Sequence, residues 1–508
     1  MAIRRLPLYY RAAAIVATGG FLFGADTGTI GPVTAMKSFQ EAFGPLTSAK
    51  HGFVVSSILL SGAISGLFAG NIADVYGRGI AFILGGIIFG IGAALEAGAQ
   101  SLGMFIFGRV LAGFGEGIFL GNLTVYICEI APARRRGPIA STVQFLVNTG
   151  LASGYFICYG TARLVNTSMS WRIPLMLQSI LAFAFAGSCF LFVPPSPRWL
   201  QAKGRMDEAR LTLEKLGLAS TELEELAEET TAPVMEEAQA GLVNSLKSSM
   251  RDFTRVFRKD TRTQAGLACI LMAFQQFSGI DGVMYYAPLL FQQAGLASEQ
   301  ASFLASGVSA LVMLAVTLPA TIYADHWGRR VSAITGGITL SGTMLLIGSL
   351  YAANAVHSDS GAGRWVVIVS IYLFAVFFCV TWAITFKIYA SEIQPMSTRA
   401  SASSLAQSAN WLANWIVALT TPIFLAKSSF GAYFFFGFSS LFCLAVCVVA
   451  MPETKGKSLE AINQAFDHKS RSWSLGSLRQ RKLTGRDDSR EPSSAEDVHL
   501  TARPTLVS

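Results

Sequence analysis

The sequence predicts an all-α polytopic membrane protein: twelve transmembrane helices in two parallel six-helix halves, joined by a cytoplasmic helical middle loop. Three observations carry this: the composition, the spacing of the apolar runs, and an internal repeat of charged loop motifs. Of 508 residues, 52% are hydrophobic and 14% charged, with 36 Phe and 48 Gly, and the mean hydropathy is +0.48. A soluble domain carries about 25% charged residues, so this much apolar surface needs lipid as its solvent. The seven cysteines are scattered, mostly within apolar runs, and their spacing suggests neither a disulfide framework nor a metal site. The net charge of +8 comes from basic residues in short loops and the tail, the pattern of positive-inside topology. The expected surroundings are therefore the lipid bilayer, not nucleic acid.

Apolar runs fall near 12–35, 52–73, 80–99, 102–127, 138–160 and 173–193, then near 265–293, 301–324, 331–353, 364–391, 400–425 and 430–451. Each is long enough to cross about 30 Å of hydrocarbon as a helix. This divides the chain into a first half (1–193), a middle loop with short helices (194–263), a second half (264–456) and a largely disordered tail (457–508). Lys and Arg favour one set of loops, including Arg78, Arg134 to Arg136, Arg329, Arg330 and Arg399. The alternate loops hold only Lys37, Lys50, Arg163, Arg364 and Lys427. Both termini and the middle loop are thus expected in the cytoplasm. The first run carries Asp26 and has no small-residue cleavage site behind it, so it is expected to remain as a span. The acidic stretch from Glu222 to Glu237 reads as a solvated surface, and Asn166-Thr167-Ser168 is a short glycosylation pattern in an expected outer loop.

The repeat sets the architecture. Asp74-Val75-Tyr76-Gly77-Arg78 follows the second run, and Asp325-His326-Trp327-Gly328-Arg329 follows the eighth. Glu129-Ile130-Ala131-Pro132 through Arg136 follows the fourth, and Glu392-Ile393-Gln394-Pro395 through Arg399 follows the tenth. Matching loops on one side of the membrane imply parallel halves related by an axis along the membrane normal, with a pathway between them. Carboxylates and arginines at helix ends can pair across helices in one conformation and separate in another. Asp74, Arg78, Glu129, Arg136, Asp325, Arg329, Glu392 and Arg399 are the candidate gating latches; the competing reading is surface ion pairs worth under about 1 kcal/mol each.

Further motifs give a family resemblance. They are Gly19-Gly20-Phe21-Leu22-Phe23-Gly24 with Asp26-Thr27-Gly28, the Gly108-Arg109 pair, the charged loops above, and Pro194-Pro195-Ser196-Pro197-Arg198-Trp199. Gln275-Gln276 with Ser278-Gly279-Ile280, and Pro452-Glu453-Thr454-Lys455-Gly456, complete the set. In this order the chain resembles the sugar porter family of the major facilitator superfamily, in particular fungal-type sugar:proton symporters. The resemblance, not the composition, implies a sugar substrate. It also implies one complete pathway per chain, hence function as a monomer, and a place in the plasma membrane.

The resemblance points to Gln144 in the fifth run, Gln275 and Gln276 in the seventh, and Asn410 and Asn414 in the eleventh as substrate-binding residues. Amide side chains both donate and accept, as sugar hydroxyls require. Asn410 and Asn414, four apart, share a helix face. The alternative for each is a hydrogen bond between helices, worth about 0.6 kcal/mol. Asp26 is an intramembrane carboxylate and so a functional candidate by default. By resemblance it works with Arg109 in proton coupling, paired when deprotonated and released when a proton arrives. Coupling supplies about 2.3 kcal/mol per charge per 100 mV and about 1.4 kcal/mol per pH unit.

Departures from the family pattern are Ala25, Val75, Gly79, Pro195 and Met313, and above all Asp281 and Lys387. The last two stand where similar porters have a sugar-binding Asn and a Trp covering the sugar. An Asp281–Lys387 ion pair between the seventh and tenth helices is the favoured reading. The alternative leaves Lys387 to bind a carboxylate on a sugar acid. Tyr285, Tyr286, Trp382, Tyr389, Trp411 and Trp415 are read mainly as packing or interface residues, and Ser278-Gly279 as a break that lets a half-helix move.

The chain reads as no enzyme: no nucleophile with a base, no metal cluster and no phosphate loop is evident, and the five His are dispersed. No cofactor or metal is expected. The preferred function is import of a hexose or pentose together with a proton; the alternatives are a uronic-acid, sugar-acid or polyol symporter, and a non-transporting sugar receptor.

Overall fold

The computed structural model describes residues 7–132, 135–164, 167–217, 251, 256–258, 261–296, 298–357, 361–395, 399–455, 462 and 466. The first half contains the helices Leu8–Ala35, Ser48–Tyr76, Arg78–Ala97, Leu102–Ile130, Thr142–Thr161 and Met169–Phe192, counted here as the first to sixth. In the second half, the seventh span is broken into Arg262–Phe277, Ile280–Tyr285 and Ala287–Gln293. The eighth and ninth are Glu299–Trp327 and Arg329–Ala352; the tenth is split into Gly363–Val380 and Trp382–Glu392. Arg399–Lys427 and Gly431–Ala450 are the eleventh and twelfth.

Eleven of these are long and apolar enough to cross a membrane by length and composition. The fifth, Thr142–Thr161, has 20 residues, about 30 Å of helix. It is less apolar because it carries Gln144, Asn148, Thr149 and Ser153, and it packs between the first and eighth helices rather than against lipid alone.

Close approach of backbones and a buried aromatic core that includes Phe39, Phe105, Trp171, Phe82, Tyr126 and Phe185 together hold the first half. A Cβ added to Gly24 would lie 1.8 Å from the Val147 carbonyl oxygen, and one on Gly150 would lie 2.1 Å from that of Phe21. The first and fifth helices therefore cross at glycine on both sides. The fourth and third repeat the device, since a Cβ on Gly115 would lie 2.4 Å from the Phe89 nitrogen. In lipid there is little hydrophobic drive between helices, so small residues that bring backbones together are a source of cohesion.

The two halves meet along two seams, the second helix on the eleventh and the fifth on the eighth. Exchanging the halves turns one seam into the other, the relation expected of parallel repeats. The halves approach each other closely at the end of the bundle away from the Asp74–Arg78 loop. There a Cβ on Gly31 would lie 2.0 Å from the Tyr285 oxygen, and one on Gly52 2.2 Å from that of Leu419. Tyr286 donates its hydroxyl to Ala418 O at 2.7 Å, and Tyr155 donates to Met284 O. The distal end is thus closed by backbone-close packing.

The middle segment begins with the short helices Pro197–Ala202 and Met206–Leu216. They are tied to the first half by Trp199 Nε1, which donates to Asp74 O at 2.9 Å. The acidic stretch, Asn166 and most of the tail lie outside the described residues.

Candidate functional site: a charged cluster and a polar pathway

Arg109 is the fixed point of the first half. Its side chain is 0% exposed, so every charge it meets acts in a medium of low dielectric. Nη1 donates to Asp26 Oδ1 at 2.6 Å and Nη2 to Val55 O at 3.1 Å, joining the first, second and fourth helices. The sequence pairing of Asp26 with Arg109 is thus realised as a buried, charge-assisted hydrogen bond.

Two carboxyls that sequence analysis passed over complete this cluster. Glu96, at the end of the third helix, places Oε2 3.7 Å from Arg109 Nη1. Glu116, seven residues past Arg109 and therefore on the same helix face, is buried and interacts electrostatically with Asp26, Arg109 and Glu96. The criterion that singled out Asp26, a charge inside an apolar run, also applies to both.

In the second half, Ser278 ends one helix and Gly279 takes φ +92° before Ile280 begins the next. A side chain is disfavoured there by that φ, and a Cβ would also sit 2.5 Å from the Phe436 ring. This break presents the Gln275, Gln276 and Asp281 set to the eleventh helix. Gln276 Nε2 donates to Asn410 Oδ1 at 3.2 Å, Asn410 Nδ2 to Gln275 Oε1 at 3.0 Å, and Gln275 Nε2 to Trp382 O at 2.9 Å. Gln275 and Asn410 are therefore engaged in the helix–helix bonding that was the alternative reading of each. Gln276 Oε1 and Asn414 Oδ1 are buried without a hydrogen-bond partner, which leaves them as the acceptors of this set open to a hydroxyl.

The favoured Asp281–Lys387 ion pair is not formed in this conformation. Asp281 Oδ2 accepts from Asn414 Nδ2 at 2.5 Å, whereas Lys387 Nζ donates to Gln144 Oε1 at 3.2 Å. The eleventh helix brings an amide within direct reach of the carboxylate, and the tenth aims the lysine across to the fifth helix of the other half. The two charges act on each other only at longer range. Lys387 is solvent-accessible yet surrounded by protein, and its bond to Gln144 crosses the space between the halves.

The candidate latch residues split by half. Arg78 pairs with Glu129 at 3.2 Å and with Asp74, and Arg329 pairs with Glu392 at 3.0 Å. Each pair joins helices of one half, and none of the ion pairs among the described residues bridges the halves at this end. The side chains of Arg136, Asp325 and Arg399 lie outside the described residues. Glu453 joins the Arg329–Glu392 cluster: it accepts from the backbone N–H of Arg329 at 2.9 Å and of Arg330 at 3.0 Å. At the matching place in the first half stands Pro195, and the helix starting at Arg78 has no side-chain cap.

Among the aromatics, Trp382 and Tyr389 are fully buried, and Trp382 Nε1 donates to Ala333 O at 2.9 Å. Both are packing residues. Trp411 lies half-buried against the second helix at Gly62. Among the described residues no three His, Cys, Asp or Glu side chains are placed to hold a metal ion together.

Comparison with known proteins agrees with this architecture. Residues 12–466 match the family model described as "Sugar (and other) transporter". The chain is 29% identical to the sugar transport protein MST7 of Oryza sativa subsp. japonica, covering 90% of each chain. It is 32% identical to the MFS-type transporter criB of Aspergillus cristatus, covering 91% of this chain and 94% of that one. Among solved structures, the major facilitator superfamily proton:xylose symporter XylE bound to 6-bromo-6-deoxy-D-glucose aligns with TM-score 0.72 and 26% identity, over 90% of this chain and 99% of that one; XylE is from E. coli. These relatives are transporters, not enzymes. With the family matched over most of its length, the chain belongs to the sugar transporter family of the major facilitator superfamily.

Proposed function

We propose that this sugar transporter is a proton symporter that imports a monosaccharide across the plasma membrane, with both termini in the cytoplasm. The observation that carries the coupling is the 2.6 Å contact of Asp26 with a fully buried Arg109. A carboxylate there is held by one cation, and a proton on Asp26 cancels that attraction and frees the first helix from the fourth. The likeness to a proton:xylose symporter supports the same reading. Gln144, Gln276 and Asn414 are the residues proposed to meet the sugar, with Gln275 and Asn410 holding Gln276 in place. The within-half ion pairs at Arg78 and Arg329 are proposed as the latches that rearrange when the halves rock.

Lys387 favours a second reading of the substrate. A solvent-accessible ammonium between the halves, with no carboxylate within 4 Å in the described ion pairs, suits a sugar acid better than a neutral hexose. Uptake of radiolabelled hexoses, pentoses, polyols and uronic acids by cells lacking their own carriers separates the readings. Uncoupler-sensitive uptake of a neutral sugar, lost in Asp26→Asn, is the expected result. Uptake confined to acids makes Lys387 the specificity residue; uptake insensitive to the uncoupler refutes the proton coupling; and no uptake favours a receptor.

A further inference from the structure

The Arg109 cluster contains more acid than one arginine balances. Asp26, Glu96 and Glu116 are all buried, and with every group ionised the set would carry three negative charges against one positive. A net charge of that size inside the apolar bundle is prohibitive. A neutral set keeps one carboxylate beside Arg109 and holds protons on the other two carboxyls.

The three acids have different surroundings. Asp26 makes the short contact with Arg109. Glu96 is wedged beside the fourth helix, where a Cβ on Gly108 would lie 2.8 Å from its Cγ; its Oε2 has no hydrogen bond and points at the guanidinium. Glu116 stands two turns further along the fourth helix, about 10 Å of axial rise, toward the end that carries the Arg78–Glu129 latch. It has no hydrogen bond or ion pair among the described contacts, and its charged neighbours are Asp26, Arg109 and Glu96. From the broken seventh span, Tyr285 lies within electrostatic range of Asp281, Glu116 and Asp26, and Tyr286 within that of Arg109. The second helix offers Arg109 only the Val55 carbonyl.

We propose that Glu116 is a second proton-binding residue of the transport cycle, receiving the proton that Asp26 gives up when it pairs with Arg109. No bond to carbon changes: a proton leaves the Asp26 carboxyl, Asp26 becomes the carboxylate beside Arg109, and the Glu116 carboxylate becomes the acid. Glu116 lies on the Arg78–Glu129 side of Arg109 along the fourth helix, so the transfer moves the proton toward that end, the cytoplasmic one in the proposed topology. This proposal rests on the proton-symport reading above.

The test uses the full-length protein purified into liposomes, with initial uptake of its transported sugar measured from external pH 5 to 8. Wild type is expected to show gradient-driven uptake. Glu116→Gln is expected to move the pH of half-maximal uptake by at least one unit, a tenfold change in proton concentration, and to lower accumulation at least fivefold. Gradient-free sugar exchange should stay within about twofold of wild type, since the sugar contacts are untouched; Glu116→Asp should restore accumulation. Wild type with no gradient-driven uptake removes the symport reading and this proposal with it. Driven wild type together with an unchanged pH profile in Glu116→Gln removes this proposal alone. Should Glu116→Gln not fold, infrared difference spectra of wild type between pH 5 and 8 decide: carboxylic-acid carbonyl loss from two groups supports the proposal, and loss from a single group sensitive to Asp26→Asn overturns it.

Discussion

Replacing Asp26 and Glu96 together should destabilise the protein by more than the two single replacements add up to. In Asp26→Asn the guanidinium loses its 2.6 Å charge-assisted bond, worth about 1.5–3 kcal/mol. It is not left alone, because Glu96 stands 3.7 Å away and can take the ionised role in place of Asp26. Glu96→Gln alone should cost about 1 kcal/mol or less, since Asp26 keeps the closer contact. With both replaced, Arg109 is a buried cation with only the Val55 carbonyl and the distant Glu116, and breaking a buried pair outright costs about 3–5 kcal/mol. The double mutant should therefore exceed the sum of the singles by about 1 kcal/mol or more. Unfolding of detergent-purified protein by titration with a denaturing detergent, followed by tryptophan fluorescence, measures the cycle. Additivity within about 0.5 kcal/mol, the range for uncoupled sites, would refute the shared-cation argument.

Three further outcomes follow from other parts of the fold. Lys387→Met should raise the KM for any transported sugar acid by about 10- to 100-fold, the value of a lost charge-assisted hydrogen bond of about 1.5–3 kcal/mol, with neutral sugars little changed; competition assays read this. Gly24→Val should abolish folded protein on size-exclusion chromatography, because its Cβ would fall 1.8 Å from the Val147 oxygen; a monodisperse, active variant would contradict the crossing. At Glu453 burial raises the carboxyl's pKa, but the backbone N–H groups of Lys455, Arg329, Arg330 and Thr454 outweigh it and lower the net value. Its stabilisation is therefore complete above the unfolded carboxyl pKa of about 4.3 and is lost as pH falls through the lower folded value. The stability gap between wild type and Glu453→Gln should be flat above about pH 5 and close only under stronger acid.

The outline of this fold is legible because lipid imposes a simple rule: spans must be apolar, and charges inside them must have partners. That rule places the spans and singles out Asp26 as a carboxylate in need of a partner; that the partner is Arg109 is implied by the family resemblance. The break at Gly279 is legible too, since glycine beside serine interrupts a helix. Partner choice among polar side chains is not. Asp281 and Lys387 are opposite charges in one half, yet Asn414 reaches the first and Gln144 the second. Which side chain arrives depends on helix rotation and on how far the halves have rocked, neither of which spacing encodes. The same holds for Gln275 and Asn410, whose amides suit a sugar as well as a neighbouring helix. The division of the tenth span at Thr381, with φ −115° and ψ −84°, carries no glycine or proline signal at all. Glu96 and Glu116 differ again: their signal was present, and a full census of charges in apolar runs would have found them.

Coupling of sugar to proton movement is tested most directly in sealed liposomes containing the purified protein and a trapped pH dye, with no pH gradient or potential imposed. Adding the transported sugar outside should acidify the interior as sugar enters down its gradient, and Asp26→Asn should remove the signal while leaving sugar exchange. Sugar entry with no acidification in the wild-type protein would contradict the proton role of Asp26 and Arg109.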